Sequence, residues 1–321
     1  MEKVEVLNQF YENELFSTIE KFEEKRKKIR TKILFIIFLI IWNSCTIYFF
    51  FLLNYDKEFD LLPFFITGIF VLSGFVYRYF KKDYTNNFKQ EVIKPLVDKL
   101  DEELTYSANL YVSRSTFNRS MLFKFPDKYS GNDLIIGKID SVDIEFSDVH
   151  AQKKYKDNKG RTKYSRIFQG LFIVAKFNKR FHGSTVVLPD TAQNSFGDLI
   201  GSWLQSNNPN RDELVKLDNP EFEKEFVVYS NDQIEARYIL TPSLMEKILN
   251  FQQKSRQDIY LSFIQEHIHI AIDYKKDLFE PTVFTSLLNK ELFIEYINSL
   301  TLAVSVVKEL NLNQNIWKNI N

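Results

Sequence analysis

The sequence predicts an α+β protein: a transmembrane helical hairpin with a helical stalk, followed by a cytoplasmic domain of helices and a mixed, mainly antiparallel sheet. Three observations predict it. Two uncharged apolar runs, Ile33–Leu53 and Leu61–Tyr77, lie close together near the start of the 321-residue chain. Amphipathic helical patterns flank the pair. From about Asn109 short alternating runs take over, and they give way to helical patterns without regular β-α-β alternation, which argues for α+β.

At roughly 1.5 Å per residue, Ile33–Leu53 covers the ~30 Å hydrocarbon core of a bilayer. Leu, Ile and Phe each favour insertion by about 0.3–0.6 kcal/mol at mid-bilayer, which outweighs Asn43 and its hydroxyl neighbours. The second run is shorter; Asp60 can cap it, and Pro63 sits in its first turn, where a missing N–H costs little. The linker between them, residues 54–60, is too short for anything but a hairpin. Soluble helices rarely stay apolar on every side. A cleaved signal peptide would have a briefer basic lead-in, a shorter apolar run and a small-residue cleavage site.

Basic residues set the orientation. Lys25, Arg26, Lys27, Lys28, Arg30 and Lys32 precede the first run, Arg78, Lys81 and Lys82 follow the second, and the linker holds only Lys57 among three acids. Positive charge stays inside, so both termini are expected in the cytoplasm. These nine residues are the expected contacts with anionic lipid headgroups, at about 1 kcal/mol each near the surface. By depth, Asn43 falls level with Val71–Gly74 and Thr46 with Gly68, which predicts close helix approach and an Asn43–Ser73 hydrogen bond.

Residues 1–32 read as an amphipathic juxtamembrane helix, with Leu15, Phe22 and Ile29 seven apart and Tyr11 and Ile19 near the same stripe. Early acids and later bases suit the helix dipole. Asp83–Tyr106 reads as a second helix, with Phe88, Val92, Leu96, Leu100 and Leu104 on one face and a kink at Pro95. The two are expected to pack as a stalk. The resulting division is 1–32, spans at 33–53 and 61–80 around an external loop at 54–60, a juxtamembrane helix at 81–106, a β-rich lobe at 107–206 and an α+β lobe at 207–321.

In the first lobe, Asp133–Gly137, Val142–Phe146, Gly170–Phe177 and Ser184–Leu188 read as strands, with Lys153–Lys163 as a long polar hairpin tip. Phe196–Leu204 suggests a short helix and Asn207–Asn210 a break. The second lobe holds runs at Phe226–Tyr229 and Glu235–Leu240. Thr241 and Pro242 are a helix start, and that helix is expected to reach Gln253. Ile259–Phe263 and His267–Ile272 read as an antiparallel pair, and a helix is expected from near Thr285 to Leu310.

Formal net charge is zero, which gives no global pull toward nucleic acid. The single cysteine, Cys45, lies in the first apolar run, so one chain cannot build a disulfide framework. There is no phosphate-cradling glycine loop, Gly-x-Ser-x-Gly elbow or His-Glu-x-x-His helix. Nine glycines in 321 residues are few for tight active-site loops. His267 and His269 share one strand face, where two imidazoles beside Glu266 are the best metal candidates; a catalytic zinc normally needs a third protein ligand. Asp148 and His150 are the best acid-base candidates. The basic tip (Lys153, Lys154, Lys156, Lys159, Arg161, Lys163, Arg166) interleaves with Tyr155 and Tyr164 and reads first as a solvated hairpin tip, with phosphates of lipid or of nucleic acid as functional alternatives and membrane contact the better of the two.

Several blocks resemble an uncharacterised bacterial membrane-protein family with two N-terminal transmembrane helices and a cytoplasmic domain of unknown function. They are Ser120–Phe123, Tyr129–Asp133 with Gly137, Phe146–His150, Phe168–Phe172 with Phe177 and Asn178, and above all Asp218–Met245. Asn132 departs from the acidic residue expected there. The resemblance implies a multi-pass protein of the bacterial cytoplasmic membrane, encoded near LemA-type membrane proteins, and carries over no activity, cofactor or catalytic residue.

The reading that follows is a membrane-anchored interaction or scaffold module without a cofactor, which recruits a partner at the bilayer, a LemA-type protein among the candidates. Asp232, Glu235 and Arg237 are its candidate contact surface. The alternatives are an enzyme acting on a lipid or envelope precursor and, behind it, a metal-responsive sensor.

Overall fold

The computed structural model describes residues 2–54, 62–177, 180–190, 213–310 and 312. The Asp60 cap, the rest of the expected external loop, the helix at Phe196–Leu204 and the break at Asn207–Asn210 lie outside the described residues.

Helix α1 (Glu2–Phe10), a π-turn at Tyr11–Leu15 and α2 (Phe16–Asn54) form one rod whose junctions keep helical backbone angles. The chain returns through α3 (Leu62–Phe88), a π-turn at Lys89–Ile93 and α4 (Lys94–Leu100). Both rods are long and apolar enough to cross a membrane, and their most apolar windows are only 6% and 0% buried within the protein. A soluble core helix would be mostly buried. Between the spans, Asn43 bonds back to the Leu39 carbonyl at 2.8 Å instead of reaching Ser73. Gly68 and Gly74 have open space around them, so no small-residue seam draws the helices together there.

The stalk does form. Leu7, Tyr11, Leu15, Ile19 and Phe22 of one rod and Phe88, Val92, Leu96 and Leu100 of the other are buried, with Phe22 and Phe88 edge-to-face at 5.7 Å. Lys3 closes the far end on Asp101 at 3.0 Å. Pro95 produces a π-turn: the Lys94 N–H reaches the Lys89 carbonyl, five residues back. A proline ring presses on the carbonyl four residues earlier, and the widened turn relieves that contact.

The second helix was expected to run to Tyr106 but stops at Leu100, where Asp101 turns extended. Leu104 is still buried, but through strand β1 (Leu104–Ser107); its helical spacing from Leu100 was coincidental. The remaining strands are β2 (Lys128–Ile139), β3 (Val142–Lys156), β4 (Thr162–Lys176), β5 (Ser184–Pro189), β6 (Glu213–Val215), β7 (Phe226–Ser230), β8 (Ile259–Ile264) and β9 (His267–Ile272). They form one nine-stranded sheet in the order β1-β2-β3-β4-β9-β8-β5-β7-β6. Each described pairing is antiparallel. The sheet runs through both expected lobes: β5 of the first lies between β7 and β8 of the second.

Helices α5 (Arg114–Arg119), α6 (Pro220–Glu225), α7 (Gln233–Ile239), α8 (Pro242–Ser255) and α9 (Lys290–Glu309) complete the fold, which is α+β. Glu235–Leu240 thus lies mainly in a helix, capped by Asp232. Thr241 caps α8 as predicted. The last helix starts at Lys290, later than expected, because Asn289 caps it and residues 273–289 form an irregular segment against the stalk.

Alternation along the strands splits the core. Ile144, Phe146, Leu171, Ile173, Ile268 and Ile270 join the main cluster with the stalk, α8 and α9. Val149, Phe168, Phe172 and Val174 meet α5 and its neighbours on the other face. Phe88 contacts both Phe293 and Tyr296 of α9, at 6.4 and 6.3 Å. The stalk is therefore a helical layer on the sheet and not a free-standing tether. Many phenylalanines are fully buried, each contributing about 1.5–3 kcal/mol, so the aromatic richness is core material.

Gly137 lies where β2 passes under the start of β1, and a Cβ there would meet the Glu103 carbonyl oxygen at 2.0 Å. Gly137→Ala is expected to lower stability by about 1–3 kcal/mol, read as an earlier midpoint in chemical denaturation of the detergent-solubilised protein.

Candidate functional site

The densest buried polar cluster lies where the stalk meets the sheet. Lys89, in the second π-turn, puts its Nζ 2.8 Å from Asp133 Oδ2 and 3.6 Å from Glu280 Oε1. Lys81, about two turns earlier, holds Glu280 Oε2 at 2.7 Å. The Tyr106 hydroxyl of β1 donates to Asp133 Oδ1, and Asn132 Nδ2 donates to Glu280 Oε1 at 3.3 Å. Asp148 of β3 accepts the Leu278 N–H at 2.7 Å. Three elements are pinned together here: the returning rod, β2 with its neighbours, and the 273–289 segment.

The local backbone explains the placement. The β2–β3 register shifts between Asn132 and Ile135, and Asp133 takes a left-handed φ of 59°. That bulge turns its carboxylate toward the stalk while its N–H goes to the Ala108 carbonyl at 3.2 Å. Bulges re-aim side chains in this way. Asp133 is wholly buried and Lys89 nearly so. Burial outweighs the lysine and pushes the Asp133 carboxyl up to about 6. Burial also raises Asp148 well above the usual carboxylate range, and its Oδ1 has no hydrogen-bond partner. Burial and the neighbouring Asp133 raise the Tyr106 phenol.

A second joint lies nearer the apolar runs. Arg26 bonds Glu23 through two nitrogens at 2.8 and 2.7 Å and donates to the Val283 carbonyl at 2.8 Å. The Leu287 N–H donates to Glu23 at 2.9 Å. The bond from Arg26 first, and that from Leu287 with it, hold the Glu23 carboxyl down to about 2 against the effect of burial.

Such a constellation locks elements together. Asp133 and Lys89 lie out of reach of solvent, and their hydrogen-bonding groups are engaged by each other and by Tyr106 and Glu280. A groove elsewhere, an open surface of about 490 Å³ beside α8, is lined by Glu225, Gln252, Arg256, Asp258 and Lys275 among others.

Each residue singled out from sequence can now be placed. Lys25, Lys27, Lys28, Arg30, Lys32, Arg78 and Lys82 are exposed around the stalk. Arg26 is not: it is buried with Glu23, so it cannot serve as a headgroup contact. Lys81 is committed to Glu280. His269 is buried, its Nδ1 3.3 Å from Ser262 Oγ, and burial lowers it to about 3. His267 is part-buried beside it, and among the described residues no three His, Cys, Asp or Glu gather as metal ligands. Asp148 faces Leu278, and burial lowers His150; no bond joins the two. Asp232 caps α7. Glu235 is buried and accepts from the His182 and Gly183 N–H groups. Arg237 donates to the Lys216 and Gln233 carbonyls. That trio is a local hydrogen-bonding device more than an open surface.

Lys89, Asp133, Glu280 and Glu23 were not singled out from sequence. Asp133 did carry a signal, since it closes the Tyr129–Asp133 block next to Asn132. Lys89 and Glu23 interrupt stripes otherwise read as apolar or solvated.

Residues 166–312 match the family described as Protein of unknown function (DUF3137). The match includes Phe168–Phe172 and Asp218–Met245, and an uncharacterised family is what those blocks resemble. A search of curated proteins returns no match. Among solved structures, the crystal structure of the mycobacterial trehalose monomycolate transport factor A, TtfA, is similar at 11% identity and a TM-score of 0.29, covering 61% of this chain and 93% of that one. A likeness that slight bears on neither fold nor function.

Removing the cation from a buried pair leaves an uncompensated charge, at about 3–5 kcal/mol. Lys89→Met is expected to destabilise by that order, and adding Asp133→Leu to restore most of it, in a double-mutant denaturation cycle. Glu23 behaves differently with pH. Its carboxyl is lower in the folded state, so its contribution is complete above about 4.5 and disappears as pH falls toward about 2. The stability gap between the wild type and Glu23→Gln should close over that window.

Proposed function

We propose that this chain is a membrane-anchored interaction module, with both termini in the cytoplasm, that holds its sheet domain against the inner leaflet and recruits or scaffolds a partner protein there. The observation that carries the reading is continuity. Two rods with bare apolar faces run without a flexible linker into a stalk pinned to the sheet by buried ion pairs. A tether for a freely diffusing catalytic domain needs no such rigidity, whereas a platform that presents a surface at a set height and angle does.

The exposed lysines and arginines around residues 25–32 and 78–82 suit the cytoplasmic headgroup region. Partner capture falls to surfaces that the fold leaves open, and a LemA-type membrane protein is the first to test.

An alkaline phosphatase fused after Asn321 should be inactive and a fluorescent protein bright, while the chain resists carbonate extraction and needs detergent for release. Active phosphatase, or a chain that stays in the supernatant without detergent, overturns the reading. Crosslinking in intact membranes followed by affinity capture should retrieve a specific membrane partner; recovery of none, together with turnover of a lipid precursor by the purified protein, favours an enzyme.

A further inference from the structure

We propose that the β3–β4 hairpin is a second membrane contact: a basic finger that docks on anionic lipid headgroups beside the two spans. The inference rests on the membrane anchor proposed above.

With that anchor, the end of the second apolar run sets the height of the bilayer surface on the folded domain. Tyr77, the last residue of the second apolar run, stacks on Phe284 with ring centroids 5.9 Å apart and planes 11° from parallel. Phe284 is 52% exposed beside the emerging helix. Aromatic rings gather at this level of a bilayer. One turn further on, Lys81 grips Glu280. The 273–289 segment therefore lies against the stalk where the spans leave the lipid.

That same segment holds the base of the hairpin. The Lys275 N–H donates to the Gln169 carbonyl at 2.9 Å, Gln169 Nε2 donates to Asp277 at 2.9 Å, and Asp148 binds Leu278. The opposite ends of these strands lie at the far end of the stalk: Gly137 pairs with Leu104, just past Leu100. Running from Val142 toward Lys156, β3 thus travels from the distal end of the stalk toward the membrane.

Lys153 donates to the Phe125 carbonyl at 2.9 Å and the Lys154 N–H to Asp127 at 2.7 Å, and beyond Lys154 the hairpin stands alone. Neighbouring β2 ends with Lys128 opposite Gln152, and β9 ends with Ile272 opposite Leu171. The finger continues as a two-stranded ribbon, Lys156 opposite Thr162, to the turn at residues 157–161. From Lys154 to Asp157 it projects roughly 10 Å at strand rise.

Its chemistry suits a headgroup layer. Residues 153–166 carry seven bases and one acid. That acid, Asp157, shapes the turn by holding Arg161 at 2.9 Å and Lys163 at 3.5 Å. Lys154, Lys156 and Lys159 make no ion pair among the described residues, and Tyr155 and Tyr164 are 47% and 50% exposed. Exposed bases interleaved with tyrosine, aimed at the lipid by a rigid sheet, fit an anionic bilayer better than a nucleic-acid strand.

The test uses the full chain with Cys45→Ser and Asn158→Cys, the new cysteine carrying an environment-sensitive fluorophore. The protein is placed in nanodiscs of phosphatidylcholine alone or mixed with phosphatidylglycerol, each with a headgroup spin-labelled quencher. Quenching at the tip should be at least about twofold stronger in the anionic discs and fall at about 0.5 M salt, where screening is short-ranged. A label at Glu102→Cys, at the distal end, should stay unquenched. Changing Lys154, Lys156 and Lys163 together to Glu should abolish quenching at the tip while the chain still enters the discs. An unquenched tip in anionic discs, or equal quenching in both lipids, overturns the inference and leaves the anchor standing. A chain that enters no disc overturns the anchor and the inference with it.

Discussion

The structure depends on a lysine held where a helix meets a sheet. Lys89 is buried between Asp133 and Glu280, and two buried charges are costly unless each finds its partner in good geometry. An apolar contact between rod and sheet could slide by a turn at modest cost, since one aliphatic surface packs much like the next. An ion pair at this depth cannot: a shift of one turn, about 5.4 Å, would strand both charges. The pair therefore sets the axial register of the returning rod on the sheet, and Glu23 with Arg26 does the same for the outgoing rod through the Val283 and Leu287 backbone.

Between these two pins runs an aromatic seam. Tyr11 meets Phe293 at 4.7 Å, Phe22 meets Phe88, and Phe88 meets Phe293 and Tyr296. The seam supplies area and the pins supply position. Rods, sheet and α9 thereby share one packed core, so the orientation of the rods fixes that of the sheet. The π-turn at Lys89–Ile93 belongs to the same device. Pro95 forces a widened turn, and that turn buries Lys89 along with Val92 and Ile93 on the stalk's inner side.

Much of this was legible in the sequence. Apolar length marked the two rods, short apolar runs marked β2 to β5, with period-two alternation clearest in Val142–Phe146, and Thr241-Pro242 marked the start of α8. Local rules reached those features because each is decided within a few residues. Other features are decided by distant partners. Leu104 kept helical spacing with Leu100, yet pairing with Gly137 made it strand. Asn43 found its partner one turn back in its own helix, where the carbonyl is always within reach. The polar cluster was opaque for the same reason: Lys89, Asp133 and Glu280 are separated by long stretches of chain, and only the folded sheet brings them together.

Charge shows most clearly how position outranks type. Lysine and arginine near the spans look alike in sequence, and a rule that counts them treats them alike. The fold sorts them by depth. Arg26 and Lys89 are inside, where desolvation would eject them without Glu23 and Asp133; Lys81 sits part-way out on Glu280; Lys28, Arg30 and Lys82 remain in solvent. Formal neutrality conceals this, because the acids that cancel the count are spent on buried pairs or lie elsewhere on the chain. Exposed bases surround the emerging rods and line the β3–β4 ribbon, and others, such as Lys138, Lys254 and Lys290, lie elsewhere on the surface. A net charge of zero is thus compatible with locally basic patches, because each base is placed by what the fold packs around it and not by the count.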